Sequence, residues 1–149
     1  MLGITRRQRL AASQTVSASV TLVDATGLTF PVTAGKKYHF RINGGFTLGA
    51  TGGFKFRLDA PALGVGSNYN NNQQVTDGVT ASPGAVIANS IVALADFANA
   101  LAVAGNHTLD MEGDYKPDAS GNLKLQFACN SAANAIILLQ GFYMEVTSL

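Results

Sequence analysis

Over most of this chain apolar and polar residues alternate one by one, in short runs separated by glycine, proline, asparagine and aspartate. That period fits a strand, whose successive side chains point to opposite faces, and not a helix with its period of about 3.6. Tyr38, Phe40 and Ile42 alternate with Lys37, His39 and Arg41; Phe54, Phe56 and Leu58 alternate with Lys55, Arg57 and Asp59. His107, Leu109 and Met111 alternate with Thr108, Asp110 and Glu112. Leu123, Leu125, Phe127 and Cys129 alternate with Lys124, Gln126 and Ala128; Phe142, Met144 and Val146 alternate with Tyr143, Glu145 and Thr147. One apolar and one polar face per strand is the pattern of antiparallel sheets with one side on a core.

The remaining segments extend this reading. Residues 15–23 predict a strand with Val16, Ala18, Val20 and Leu22 inward, followed by an Asp24-Ala25-Thr26-Gly27 turn. Leu28, Phe30 and Val32 predict a second strand, placed at a sheet edge because Pro31 cannot donate to a ladder. Gly44-Gly45 opens a glycine-broken link, and pairing the strands on its two sides would set aromatic residues on one face and cations on the other. Between 60 and 83 the alternation lapses, and the polar run Asn68 to Gln74 reads as a long surface loop. A strand is expected near 85–93, then an alanine-rich link over 93–104. Turns are expected at Lys116 to Asn122 and at Asn130 to Asn134. About eight or nine short strands with turn signals between them predict an all-β, antiparallel β-sandwich, jelly-roll-like, with one domain over 13–149.

Only 13% of the 149 residues are charged, against about 25% in an ordinary globular chain. The alternating branched and aromatic residues argue against disorder. No stretch of about 20 residues is uninterruptedly apolar, so no membrane-spanning helix is expected. Three of the ten Lys and Arg residues, Arg6, Arg7 and Arg9, fall in residues 1–12, which hold no acid; seven remain against nine acidic residues in the rest. The expectation is an extended basic N-terminal arm over 1–12 preceding a slightly acidic body. No apolar run follows the arginines as a secretory signal would require. The single cysteine excludes an internal disulfide and suits synthesis in a reducing cytoplasm.

Chemistry-bearing residues are sparse. His39 falls on a polar face and His107 is in phase with Leu109 and Met111, so the two are not expected to share a site. Cys129 reads as a small buried hydrophobe. Asp110, Glu112 and Asp114 would line one strand face, as part of a calcium site or, without a glycine-centred loop, as a solvated acidic face or a partner for Lys124. Two of them, Asp110 and Glu112, would suit a sugar hydrolase only if a cleft held them in place. Asn106-His107-Thr108 is a glycosylation sequon, which has no meaning without export. Neither glycine pair is followed by a helical pattern, so no phosphate-binding loop is expected. The body is too acidic for a nucleic-acid surface. Phe46, Tyr69 and Tyr115 could stack on a sugar if loops presented them together. The residues thus predict no catalytic group, no cofactor and no metal site.

The stretch Ser17-Ala18-Ser19-Val20-Thr21-Leu22-Val23-Asp24-Ala25-Thr26-Gly27-Leu28-Thr29-Phe30-Pro31-Val32, continued by Ala34-Gly35-Lys36-Lys37-Tyr38-His39-Phe40-Arg41, resembles a pattern in tailed-bacteriophage structural proteins. There a "DATGL-x-F" turn leads to an apolar strand and then a "Y-x-F-R/K" strand. Gly52-Gly53-Phe54-Lys55-Phe56, Pro117 through Phe127, and Gly141-Phe142-Tyr143-Met144-Glu145-Val146 are compatible with it. The resemblance implies a virion component without catalytic residues: a capsid decoration, or cement, protein, made in the bacterial host cytoplasm and seated on the capsid surface. Its partners would be the major capsid protein and further copies of itself, as a homotrimer, with no nucleic acid and no membrane involved. Leu2, Ile4 and Leu10 of the arm would bury in shell grooves, and Arg6, Arg7 and Arg9 would meet acidic patches. The alternative is a tail or head-fibre module, attached by the arm, that binds a host surface glycan through residues 67–74 and nearby aromatics.

Overall fold

The computed structural model describes residues 3–49, 53–61, 69–77, 86–91, 97–99 and 104–149, with side chains described over 3–49, 53–61 and 104–149. Among the described residues every element is a strand: β1 (Thr5–Arg9), β2 (Gln14–Ser17), β3 (Val23–Val32), β4 (Tyr38–Leu48), β5 (Phe54–Asp59), β6 (Tyr69–Asp77), β7 (Val86–Ile91), β8 (Phe97–Asn99), β9 (Gly105–Tyr115), β10 (Gly121–Cys129), β11 (Ala135–Leu138) and β12 (Tyr143–Ser148). They form two antiparallel sheets. The eight-stranded sheet runs β1-β12-β4-β9-β6-β7, with β11 joining β2 to the far half of β4; the four-stranded sheet runs β3-β10-β5-β8. The all-β, antiparallel sandwich expected from the alternation is therefore present.

The core lies between the sheets. Phe40, Ile42, Phe46 and Leu48 of β4 and Leu109, Met111 and Tyr115 of β9 are buried, as are Phe54, Phe56 and Leu58 of β5 and Leu123, Leu125 and Phe127 of β10. The β4 and β5 aromatics do not pair along one sheet as expected. They meet across the layers, with the Phe46 ring 5.6 Å from Phe54 and 5.2 Å from Phe56, both edge-on. Edge-to-face pairs of this kind add about 0.5–1.5 kcal/mol beyond the area they bury.

Three local expectations are overturned, each for a physical reason. Residues 15–23 do not form one strand: β2 ends at Ser17 and Ala18 adopts a positive φ of 51°. Asp24 to Gly27 is a bulge inside β3 and not a turn, because the register steps from Lys124↔Thr29 to Gln126↔Asp24 and sets residues 25–28 opposite Leu125 alone. Gly27, at φ 85°, supplies the left-handed conformation that such an irregularity requires. The side-chain amide of Gln14 closes the gap: Oε1 accepts from the Thr26 N–H at 2.8 Å, and Nε2 donates to the Asp24 carbonyl at 3.0 Å. Finally, Gly44-Gly45 does not break its strand. A Cβ on Gly44 would lie 2.4 Å from the Phe142 ring, so glycine here admits an aromatic side chain against an unbroken β4.

Residues 69–77 of the polar run are strand β6, paired with both β9 and β7, and not a loop. Phe97–Asn99 of the alanine-rich link is β8, paired with β5. The remainder of 62–68, 78–85, 92–96 and 100–103 lies outside the described residues. The strand expected near 85–93 is β7, β3 with Pro31 does lie at a sheet edge, and both expected turns, 116–122 and 130–134, connect strands.

Candidate functional site

The N-terminal segment does not project from the sandwich as a separate arm. Residues 5–9 form the edge strand β1, paired antiparallel with β12 from Thr5↔Thr147 to Arg9↔Tyr143. Leu10 is 3% exposed and belongs to the core; its N–H donates to the Phe142 carbonyl at 2.8 Å and its carbonyl accepts from Gly141 at 3.1 Å. An apolar residue placed after an alternating polar strand anchors that strand instead of freeing it. Gln8 adds a tie to the other sheet, its Oε1 accepting from the Thr29 N–H at 2.8 Å. Of the residues assigned to shell contact, Leu10 is therefore withdrawn. Ile4 stays exposed, at 65%, and Leu2 lies outside the described residues.

The three arginines differ in what engages them. Arg7 is committed internally: its Nε donates to Glu145 Oε2 at 2.8 Å and its guanidinium lies 4.8 Å above the Tyr143 ring. Arg6 and Arg9 are exposed and make no ion pair among the described residues. Arg6 and Lys36 border a cavity of about 290 Å³ that opens between β1 and β3, with Ile4, Phe30, Tyr38 and Val146 among its walls. Two cations thus border a cavity whose walls mix apolar side chains with Thr33 and Ser148 at the N-terminal edge.

The acidic row Asp110, Glu112, Asp114 is real but engaged. Its partners lie on β4 and at Lys37 just before it, not at Lys124: Asp110 faces Arg41 at 3.4 Å, Glu112 faces His39 Nε2 at 3.1 Å, and Asp114 meets His39 Nδ1 and Lys37 Nζ, each at 3.1 Å. The hydrogen bond from His39, and then that from Lys37, hold the Asp114 carboxyl below its ordinary range despite partial burial. Lys124 instead bridges Asp24 and Asp59, at 3.1 and 3.5 Å. Asp24 is likewise held low, first by the hydrogen bond from Gln126 and then by Lys124. No group of three His, Cys, Asp or Glu among the described residues could hold a metal ion.

His39 is solvent-facing and His107 is 2% exposed, stacked 5.3 Å from the Phe46 ring, so the two histidines occupy opposite faces of β4 and β9. Cys129 is fully buried, its Sγ within 3.3 Å of the Asn134 carbonyl and 3.5 Å of the Val16 carbonyl. A sugar platform built on Phe46 and Tyr115 is excluded, because both sit in the core and not in loops; the Tyr69 side chain lies outside the described residues. Tyr115 donates to the Pro61 carbonyl, and burial pushes its phenol upward. What sequence reasoning missed is the edge itself. Lys36 was visible only as a turn residue, and nothing in the local pattern brings it beside Arg6.

No family model matches the chain and no curated protein matches it. Among solved structures, it is similar to the Clostridium thermocellum xylanase 10B CBM22-1–GH10 modules complexed with xylohexaose, with a TM-score of 0.29 and 10% identity over 99% of this chain and 28% of that one. It is also similar to the Gx strain of infectious bursal disease virus, with a TM-score of 0.24 and 8% identity over 98% of this chain and 36% of that one. The Gt strain of the same virus gives a TM-score of 0.21 at 8% identity. The chain spans between 28% and 37% of the length of these matches. Likeness of this degree assigns no function.

Proposed function

We propose that this chain is a non-enzymatic structural component of a bacteriophage virion: a capsid decoration, or cement, protein on the outer surface of the head shell. Its partners are the major capsid protein and further copies of itself in a homotrimer. The observation that carries this reading is a charge-poor β-sandwich whose N-terminal edge strand displays unpaired cations beside a cavity of mixed polar and apolar lining. Charge is depleted at the cores of interfaces because desolvating it is costly, and 13% charge leaves broad surface that assembly can cover cheaply. Repeated weak contacts to a shell gain strength through effective concentration. The sequence resemblance to tailed-phage structural proteins points the same way. With Phe46 and Tyr115 in the core, no observation favours the glycan-binding fibre module.

Deleting residues 1–12 is not a clean test, because the deletion would remove Leu10 from the core. Charge reversal at Arg6 and Arg9 is clean. Purified wild-type chain added to heads that lack it is expected to co-sediment with them, and the Arg6→Glu, Arg9→Glu double variant to remain largely in the supernatant while keeping its fold. Wild-type chain that stays in the supernatant would count against a shell partner.

A further inference from the structure

The backbone of β1 is half used. Ser148 N–H donates to the Ile4 carbonyl, and Leu10 exchanges bonds with Phe142 and Gly141. In an antiparallel ladder the backbone groups of alternate residues point to alternate sides. The even residues of β1 therefore face β12, and the N–H and C=O groups of Thr5, Arg7 and Arg9 point away from the sheet. Among the described residues no strand covers them. Such a row is a template for another strand. Its side chains restrict the choice of occupant. A second copy adding antiparallel about Arg7 would set Arg7 against Arg7, and the registers centred one residue to either side would set Arg6 against Arg6 or Arg7 against Arg9; like charges directly opposite are destabilising. The free cations Arg6, Arg9 and Lys36 instead call for carboxylates.

We infer that the β1 edge accepts an extended acidic segment of a different protein chain by strand addition. The geometry specifies its pattern. In an antiparallel arrangement a carboxylate opposite Arg9 lies on the outer face. A second carboxylate three positions later, opposite Arg6, lies on the cavity side near Lys36. An apolar residue two positions further meets exposed Ile4 and the mouth of the cavity walled by Phe30, Tyr38 and Val146. Read from its N-terminus the segment is acidic-x-x-acidic-x-apolar. Backbone pairing supplies affinity and the alternate side chains supply selectivity, as in other strand-addition complexes. The inference builds on the reading of this edge as the contact to a shell protein. Its test uses the purified chain alone, so its failure would be separate from failure of that reading.

The probe is a fluorescent peptide carrying Glu-Thr-Thr-Glu-Thr-Val, compared by anisotropy with a scrambled peptide and with one in which both Glu are Lys. The wild-type chain is expected to prefer the ordered acidic peptide over both controls. Thr5→Pro removes an outward N–H and the exposed Thr5–Thr147 hydroxyl contact while leaving the backbone ladder to β12 and every charge in place, since proline is tolerated on the solvent side of an edge strand. It should weaken binding about three- to tenfold, the weight of one main-chain hydrogen bond. The Arg6→Glu, Arg9→Glu double variant should reverse the preference toward the Lys peptide. Amide exchange in the wild-type chain decides the matter if Thr5→Pro misfolds: Thr5, Arg7 and Arg9 should gain protection when the acidic peptide is added. Equal binding of the scrambled peptide, an unaffected folded Thr5→Pro variant, or no added protection would overturn strand addition. A concentration-dependent dimer abolished by Thr5→Pro would give the edge to a second copy and overturn the assignment of a different partner.

Discussion

Replacing Leu10 by alanine separates an N-terminal segment that belongs to the sandwich from one that merely trails it. Leu10 is 3% exposed, and its backbone donates to Phe142 and accepts from Gly141 at 2.8 and 3.1 Å. Truncating a buried leucine typically costs about 2–5 kcal/mol, the lower values applying where the site can relax or fill with water. Leu10 borders a cavity shared with Ala11, Ala12 and Gln14, so the lower half applies and about 2–3 kcal/mol is expected. For a chain of this size each kcal/mol lowers Tm by about 2–4 °C, giving a fall of about 4–12 °C. Arg6→Ala and Arg9→Ala, on the surface of the preceding strand β1, should change stability by no more than about 0.5 kcal/mol. Urea denaturation of the three variants, followed by far-ultraviolet circular dichroism, reads both quantities. A Leu10→Ala loss indistinguishable from those of the arginine variants would refute the placement of this residue in the core.

Gly44→Ala should destabilise by about 1–3 kcal/mol through overpacking, because the new Cβ would meet the Phe142 ring at 2.4 Å and its Cα at 2.7 Å, a backbone atom that cannot rotate away; a denaturation midpoint unchanged from wild type would contradict it. Phe46→Ala removes a ring that touches Phe54, Phe56 and His107 and should cost about 3–5 kcal/mol by the same measurement. Asp24 and Asp114 are both held below their ordinary pKa in the fold, so they stabilise it at pH values above their unfolded range, and that contribution is lost as pH falls through the folded values. Tm should therefore decline on acidification below about pH 4. Asp114→Asn should flatten that decline, by a small amount since both carboxylates are substantially solvated.

Where side chains of opposite character alternate against a core, the sequence was a sufficient guide. Tyr38, Phe40 and Ile42, then Leu123, Leu125 and Phe127, point inward as their spacing requires, and Pro31 lies on an edge strand as its missing N–H demands. Residues 69–77 show no such alternation because asparagine and glutamine occupy consecutive positions, and pairing to β9 and β7 makes the strand where local pattern is silent. Glycine misled twice, since a left-handed residue serves a bulge as well as a turn, and a missing Cβ serves a neighbour's ring as well as a link. Gly27 and Gly44 differ from turn glycines only through Leu125 and Phe142, residues remote in sequence. The charge imbalance of residues 1–12 was legible, but its meaning was not. Arg7 is tied down by Glu145 across the β1–β12 pair, and Lys36 joins Arg6 only because β1 and β3 end beside one another.

The engaged acidic row also bears on function. Across β4 and β9, Asp110 and Asp114 lie 3.4 and 3.1 Å from Arg41 and Lys37, and Glu112 is hydrogen-bonded to His39, so the acidic row is engaged, whereas Arg6 and Arg9 at the N-terminal edge make no ion pair among the described residues. A face whose charges are engaged tolerates close neighbours, while a basic edge selects an acidic one.

The proposed decoration role is tested most directly by the number of copies of this chain per copy of the major capsid protein in purified phage particles assembled in cells that express it. A decoration protein should be present in a fixed ratio of the same order as the shell subunit, and should be released as the salt concentration rises. A handful of copies per particle, or complete absence from washed particles, would contradict it.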